Sequence, residues 1–175
     1  MNRLSDLNIS NQNLVIRVDM NVPIEDGVVT DNTRILACMP TIKFAQKSNA
    51  KILLVTHLGR PKEGTFDKKF SLKPVATEVS KILDYEVDFI DDLDSTKIFN
   101  GSSDIQILEN IRFFEGEKSN CNKLGKSLSS LGDIYVFDAF GTSHREQSST
   151  HSAIVNSNLS CAGLLLEKEI DSLTK

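Results

Sequence analysis

A chain of 175 residues with 39% hydrophobic and 25% charged side chains has the composition of one globular domain and is too short for two of ordinary size. Its net charge of -4, with no block of like charges, argues against a nucleic-acid partner and means that any anionic ligand needs a local basic cluster. No run approaches the roughly 18 apolar residues of a membrane span, and the N-terminal residues have no secretory pattern. The three cysteines (Cys38, Cys121 and Cys161) are scattered and lack Cys-x-x-Cys spacing, which fits reduced thiols in a cytoplasmic protein and no zinc site.

In chain order, apolar runs of strand length fall at Leu14–Val18, Ile52–Val55, Val87–Ile90, Ile105–Leu108 and Ile134–Phe137. They are nearly continuous instead of alternating, as expected for strands buried on both faces. Helical patterns lie between and after them. Asn32 or Thr33 is placed to cap a helix from Arg34 to about Lys47, where Pro40 predicts a kink or a late start. Ser71 is placed to cap a second helix reaching about Leu83, with Pro74 in its first turn. A third is expected over about Lys123–Leu131, and a fourth from near Ala162 to the C-terminus, exposing apolar surface near Leu164–Leu166. Thr65–Lys69 and Asp91–Ser103 read as polar surface connections. Alternating strand and helix predict an α/β domain with a mostly parallel sheet, whose strand order the sequence leaves open.

Ligands of open α/β sheets bind outside the carboxyl ends of the strands, so the residues following each strand carry most information. They are Asp19-Met-Asn-Val-Pro23, Thr56-His-Leu-Gly-Arg-Pro61, Glu109-Asn-Ile-Arg-Phe113 and Asp138-Ala-Phe-Gly-Thr-Ser-His-Arg145. Arg60, Arg112 and Arg145, three of the six arginines, lie in these segments, as do His57 and His144. Arg34 sits at the expected start of the first helix. A guanidinium stays charged and grips phosphate or carboxylate oxygens with two parallel bonds, so converging arginines suit a small polyanion. Asp19 and Asn21 fit two uses, bonding a ligand hydroxyl or capping a turn. Asp138 reads as a structural partner of a nearby arginine, and Glu109 as a residue holding Arg112 or another arginine in place. Gly59 and Gly141 permit tight turns and close backbone approach.

Nucleotide signatures are missing. Gly125-Lys126-Ser127 resembles the end of a phosphate-binding loop, but Asn120 stands where that motif needs Gly, so the segment reads as an ordinary helix start. There is no Gly-x-Gly-x-x-Gly and no Gly-x-Ser-x-Gly. The residues alone give an anion-binding α/β domain without a complete catalytic apparatus.

Arg17-Val-Asp-Met-Asn-Val-Pro23, Thr33-Arg-Ile35, His57-Leu-Gly-Arg-Pro61 and Ser71-Leu-Lys-Pro-Val-Ala76 resemble, in order, segments of the phosphoglycerate kinases. So do Leu108-Glu-Asn-Ile-Arg-Phe113, Asp138-Ala-Phe-Gly-Thr142 with His144-Arg145, and Leu165-Leu-Glu-Lys-Glu169. The resemblance covers essentially the whole chain. It implies a Rossmann-like three-layer αβα domain, the 3-phosphoglycerate-binding N-terminal domain of an enzyme that transfers a phosphoryl group between ATP and 3-phosphoglycerate with magnesium. The implied substrate residues are Asp19, Asn21, Arg34, His57, Leu58, Gly59, Arg60, Arg112 and Arg145. Arg60, Arg112 and Arg145 are expected at the phosphate end, Asp19 and Asn21 at the hydroxyl and carboxylate end, and Arg34 at the transferring phosphoryl group as the catalytic residue. Mg-ATP or ADP would belong to a second domain that this chain lacks. The fragment is therefore expected to be inactive alone, to bind 3-phosphoglycerate or 1,3-bisphosphoglycerate, to pair with its own C-terminal domain in the parent protein, and to be monomeric. Met20, Thr56, Glu146 and Gln147 depart from the family's usual Phe, Ser, Ala and His. The alternatives are a stand-alone phosphoester-binding module and a nucleotide-binding Rossmann domain.

Overall fold

The computed structural model describes residues 1–175. Its strands are β1 (Asn2–Arg3), β2 (Asn13–Val18), β3 (Ile24–Glu25), β4 (Val28–Val29), β5 (Lys51–Val55), β6 (Asp88–Ile90), β7 (Ile105–Leu108), β8 (Ile134–Asp138) and β9 (Ser160–Ala162). Its α-helices are α1 (Thr33–Lys47), α2 (Lys73–Leu83), α3 (Asn122–Ser129), α4 (Ala153–Asn156) and α5 (Leu164–Leu173). Seven strands form one sheet in the order β1-β9-β8-β2-β5-β7-β6, and every pairing in it is parallel. β3 and β4 form a separate antiparallel hairpin.

Burial on both faces explains the unbroken apolar runs. Leu14, Ile16 and Val18 of β2, with Ile52 and Leu54 of β5, pack under Ile35 and Ile42 of α1 and Val75 and Val79 of α2. Val15, Leu53, Val55 and Tyr135 point the other way, against Leu124 and Leu128 of α3 and Ala153 of α4. Each fully buried Leu or Ile contributes about 1.5–3 kcal/mol. The result is the three-layer αβα arrangement. No helix is long and apolar enough to cross a membrane.

Some sequence expectations are corrected. α1 is unbroken through Pro40, because the lost hydrogen bond would have gone to the carbonyl of Leu36, and both residues are exposed to water. Its first turn is capped neither by Asn32 nor by Thr33 but by Asp31, whose carboxylate accepts from the amide (2.9 Å) and hydroxyl (2.6 Å) of Thr33. Ile98 and Phe99, within the supposed polar connection at 91–103, are buried in the second core. Leu166 is buried against Phe137, Ala139 and Ala162 instead of forming exposed apolar surface, and Leu164 and Leu165 are half-buried. β1, β3, β4 and β9 are two or three residues long and belong to no apolar run of strand length, so the sequence does not reveal them. The turn at Ser148–Ser152, which is π-helical, and α4 went unread because their first half is all Ser, Thr and His.

Gly125 lies inside α3, where an added Cβ would fall 2.4 Å from the Cβ of Ser152 and 2.9 Å from the nitrogen of Ala153. The residue is there for close helix packing, not for holding phosphate. Gly125→Ala should therefore destabilise the domain by about 1–3 kcal/mol, although alanine favours a helix by about 1 kcal/mol over glycine. Urea unfolding of both proteins measures this.

Candidate anion-binding site

β2 lies between β5 and β8: the chain runs outward from β2 through β5 and later crosses back to β8 on the other side of β2, so the strand order reverses here. The crevice at such a reversal, outside the carboxyl ends of the strands, is where open α/β sheets bind ligands. The four polar segments lie there, and short hydrogen bonds join the three that follow β2, β5 and β7. Asn21 Oδ1 accepts from the amide of Gly59 (3.0 Å), tying the loop after β2 to the loop after β5. Gly59 has φ +60°, a left-handed conformation that suits glycine. Asn110 clamps the next pair of loops. Its Oδ1 accepts from the amides of Leu58 (3.2 Å) and Arg112 (3.1 Å), while its Nδ2 donates to the carbonyls of Leu58 (2.7 Å) and Phe70 (3.0 Å). Leu58 thus has both backbone groups engaged and its side chain in the core.

The guanidinium groups differ in setting. Arg34, in the first turn of α1, is exposed and donates to both carboxylate oxygens of Asp19 (3.4 and 3.3 Å) and to the carbonyl of Asn21 (3.3 Å). Arg60 is exposed and Arg145 half-buried. Arg112 is only 4% exposed; its Nη1 donates to the carbonyl of Gly59 (2.7 Å), and its Nε is buried without a partner. Burial, then the neighbouring charges of Arg145, Arg17 and Arg60, lower its proton affinity. Four cations crowded this way repel one another, and a bound anion relieves that repulsion.

Arg17 is the residue that the strand-end reading passed over. It is fully buried on the α3 face of β2, beneath the rim. Its Nε donates to Ser149 Oγ (2.9 Å), its Nη1 to the carbonyl of Val18, and its Nη2 meets His57 Nδ1 (3.1 Å). Ser149 in turn donates from its amide (2.7 Å) and hydroxyl (2.6 Å) to the carboxylate of the buried Glu117. Burial pushes Glu117 above the usual carboxylate range while Arg17 pulls it back. One arginine in an otherwise apolar strand was the available signal, since a charge is almost never buried unpaired.

Two assignments are corrected. Asp138 pairs with no arginine: its carboxylate accepts from Thr41 Oγ1 (2.6 Å) and from the amide of Leu166 (3.0 Å) in the first turn of α5. Glu109 likewise holds no arginine. It accepts from Ser71 Oγ (2.7 Å), the amide of Leu72 (2.7 Å) and the amide of Asn110 (2.8 Å), at the positive N-terminal end of α2. His144 is exposed.

The family model described as "PGK: Phosphoglycerate kinase" matches residues 4–175. This chain belongs to the phosphoglycerate kinase family. Among curated phosphoglycerate kinases, that of Nitratidesulfovibrio vulgaris strain Miyazaki F is 44% identical over 174 residues, covering 99% of this chain and 44% of its own length. That of Vibrio campbellii is 43% identical over 173 residues, with 99% and 45% covered. The solved phosphoglycerate kinase of Coxiella burnetii superposes with a TM-score of 0.92 at 41% identity, covering 98% of this chain and 44% of that one. The chain thus spans about 44% of the length of the phosphoglycerate kinases it matches.

His57 gives the site a pH signature. Burial, then the positive charges of Arg17, Arg112, Arg145 and Arg34, push its imidazole down to about 2. The unfolded chain protonates it near the ordinary value of about 6.5. The unfolded state therefore binds the extra proton, and stability is full above about pH 6.5 and drains as the pH falls toward about 2. This one group should remove about 2 kcal/mol between pH 7 and pH 5. The raised carboxylates of Glu117 and Asp138 act in the opposite direction, so the contrast with His57→Gln isolates the imidazole. Urea unfolding at both pH values should show the wild type losing about 2 kcal/mol more than the variant.

Proposed function

We propose that this chain is the 3-phosphoglycerate-binding half of a phosphoglycerate kinase. The observation that carries the reading is the convergence of Arg60, Arg112 and Arg145 on one strand-end rim, with the buried Nε of Arg112 lacking a partner. In this reading the three arginines take the phosphate end of the substrate. Asp19 and Asn21 take its hydroxyl and carboxylate end, and the loop His57-Leu58-Gly59-Arg60 closes over it. Arg34, held by Asp19 beside the crevice, swings to the phosphoryl group in transit and is the catalytic residue. Its task is charge stabilisation in a transfer governed by positioning, where one lost donor costs about 100- to 1000-fold in rate.

The whole enzyme joins a substrate carboxylate oxygen to the terminal phosphorus of ATP as ADP leaves, and the reverse reaction uses 1,3-bisphosphoglycerate. In this reading magnesium and the nucleotide belong to a second domain of the parent protein, which acts in the cytoplasm in glycolysis and gluconeogenesis. The 175-residue chain alone binds 3-phosphoglycerate as a monomer and transfers nothing.

Calorimetric titration tests this. The chain should bind 3-phosphoglycerate in a salt-sensitive manner and show no heat with Mg-ATP. Arg112→Ala should weaken the binding by at least about 100-fold, as expected for loss of a bidentate charged contact. Binding of Mg-ATP, or indifference to 3-phosphoglycerate by the folded chain, would overturn the reading.

A further inference from the structure

We infer that Glu117 and Ser149 are positioning residues which, acting through Arg17, hold His57 as the neutral tautomer protonated on Nε2, so that the ring offers the rim an N–H donor and not a second cation. The chain of bonds fixes this by elimination. A guanidinium only donates, so His57 Nδ1, 3.1 Å from Arg17 Nη2, must accept. A neutral imidazole that accepts at Nδ1 carries its proton on Nε2.

Arg17 has no freedom to release the ring. Its Nη1 donates to the Val18 carbonyl and its Nε to Ser149 Oγ (2.9 Å). Ser149 is held at three atoms. Its amide and hydroxyl reach Glu117 at 2.7 and 2.6 Å, and its carbonyl accepts from the hydroxyl of Tyr135. Because the Ser149 proton is committed to the carboxylate, its oxygen is left to accept from Arg17. Glu117 thus fixes the serine proton, and Ser149 holds Arg17 with its Nη2 aimed at the ring.

The charges around each end agree. The groups facing His57 are Arg17 from β2, Arg34 from α1, Arg112 from the turn after β7 and Arg145 from the segment after β8, all positive. Its only side-chain hydrogen-bond partner is Arg17. Glu117 faces Arg17, Arg112 and Tyr135, so it serves as the counter-charge of the buried arginine pair. A neutral donor adds a hydrogen bond to the rim without adding to the repulsion among its arginines, and it needs no proton uptake when an anion arrives.

Nitrogen NMR of imidazole-labelled chain tests the relay without any ligand. The protein has three histidines, so His57→Gln assigns the signal against His144 and His151. The wild type should show Nδ1 as an unprotonated and Nε2 as a protonated ring nitrogen, unchanged from pH 8 to pH 5. Ser149→Ala should break the relay, populate the Nδ1-protonated tautomer and raise the dissociation constant for 3-phosphoglycerate about 10-fold. Glu117→Gln is the second variant should that protein not fold. Its amide can donate to Ser149 Oγ and turn the serine proton toward the Arg17 Nε–H, which displaces the guanidinium from the ring, so it too should mix the tautomers. A purely structural role for Ser149 would lower stability and leave the tautomer as it is, and that result overturns the proposal. So does a wild-type His57 protonated on Nδ1 or doubly protonated at neutral pH. Only the affinity change rests on the substrate reading above. The stated tautomer without any binding of 3-phosphoglycerate would uphold the relay and sink the ligand.

Discussion

Burying the positive charge of Arg17 in the central strand is the constraint around which the ligand-facing end of this domain is arranged. A cation taken fully out of water costs several kcal/mol unless its donors are used and its charge is opposed. Here all three guanidinium nitrogens have partners, and Glu117 opposes the charge through Ser149. Each partner comes from a different part of the chain. His57 follows β5, Glu117 precedes α3, and Ser149 lies in the turn before α4. One side chain thus fixes three segments that the sheet alone would leave independent.

On that base the rim can be crowded with positive charge without collapsing. Arg112 is locked by the Gly59 carbonyl and by Asn110, and Asn21 joins the β2 and β5 loops. These are bonds between side chains and backbone, which hold loops without consuming the ligand-facing groups. Arg112 is in place before an anion arrives, so binding need not order it. The N-terminal ends of α2 and α5 take the carboxylates Glu109 and Asp138, which keeps those negative charges off the arginine rim.

Much of this was legible in the residues. Strands β2, β5, β6, β7 and β8 show as continuous apolar runs, helices α1, α2, α3 and α5 carry their own periodicity, and the separation of arginine to strand ends points to one crevice. What stayed hidden depended on partners far away in sequence. Arg17 stands in an apolar strand run, and its meaning lies in Ser149, 132 residues on. The buried serines near it look like polar loop until their acceptors are known. Attraction of opposite charges predicts arginine partners for Asp138 and Glu109. The structure instead gives both to backbone amides at helix starts, a choice that composition cannot reveal. The short strands β1 and β9 exist only because they pair with each other and with β8 at the sheet edge.

We propose that the strand-end arginines, braced from below by Arg17, form the site for the phosphate of 3-phosphoglycerate. A crystal structure of the 175-residue chain with that compound tests it most directly. The expected density places the phosphate against Arg60, Arg112 and Arg145, with the Arg112 Nε now donating to it and the Arg17 contacts unchanged. Density elsewhere on the surface, with the arginine rim untouched, would contradict it.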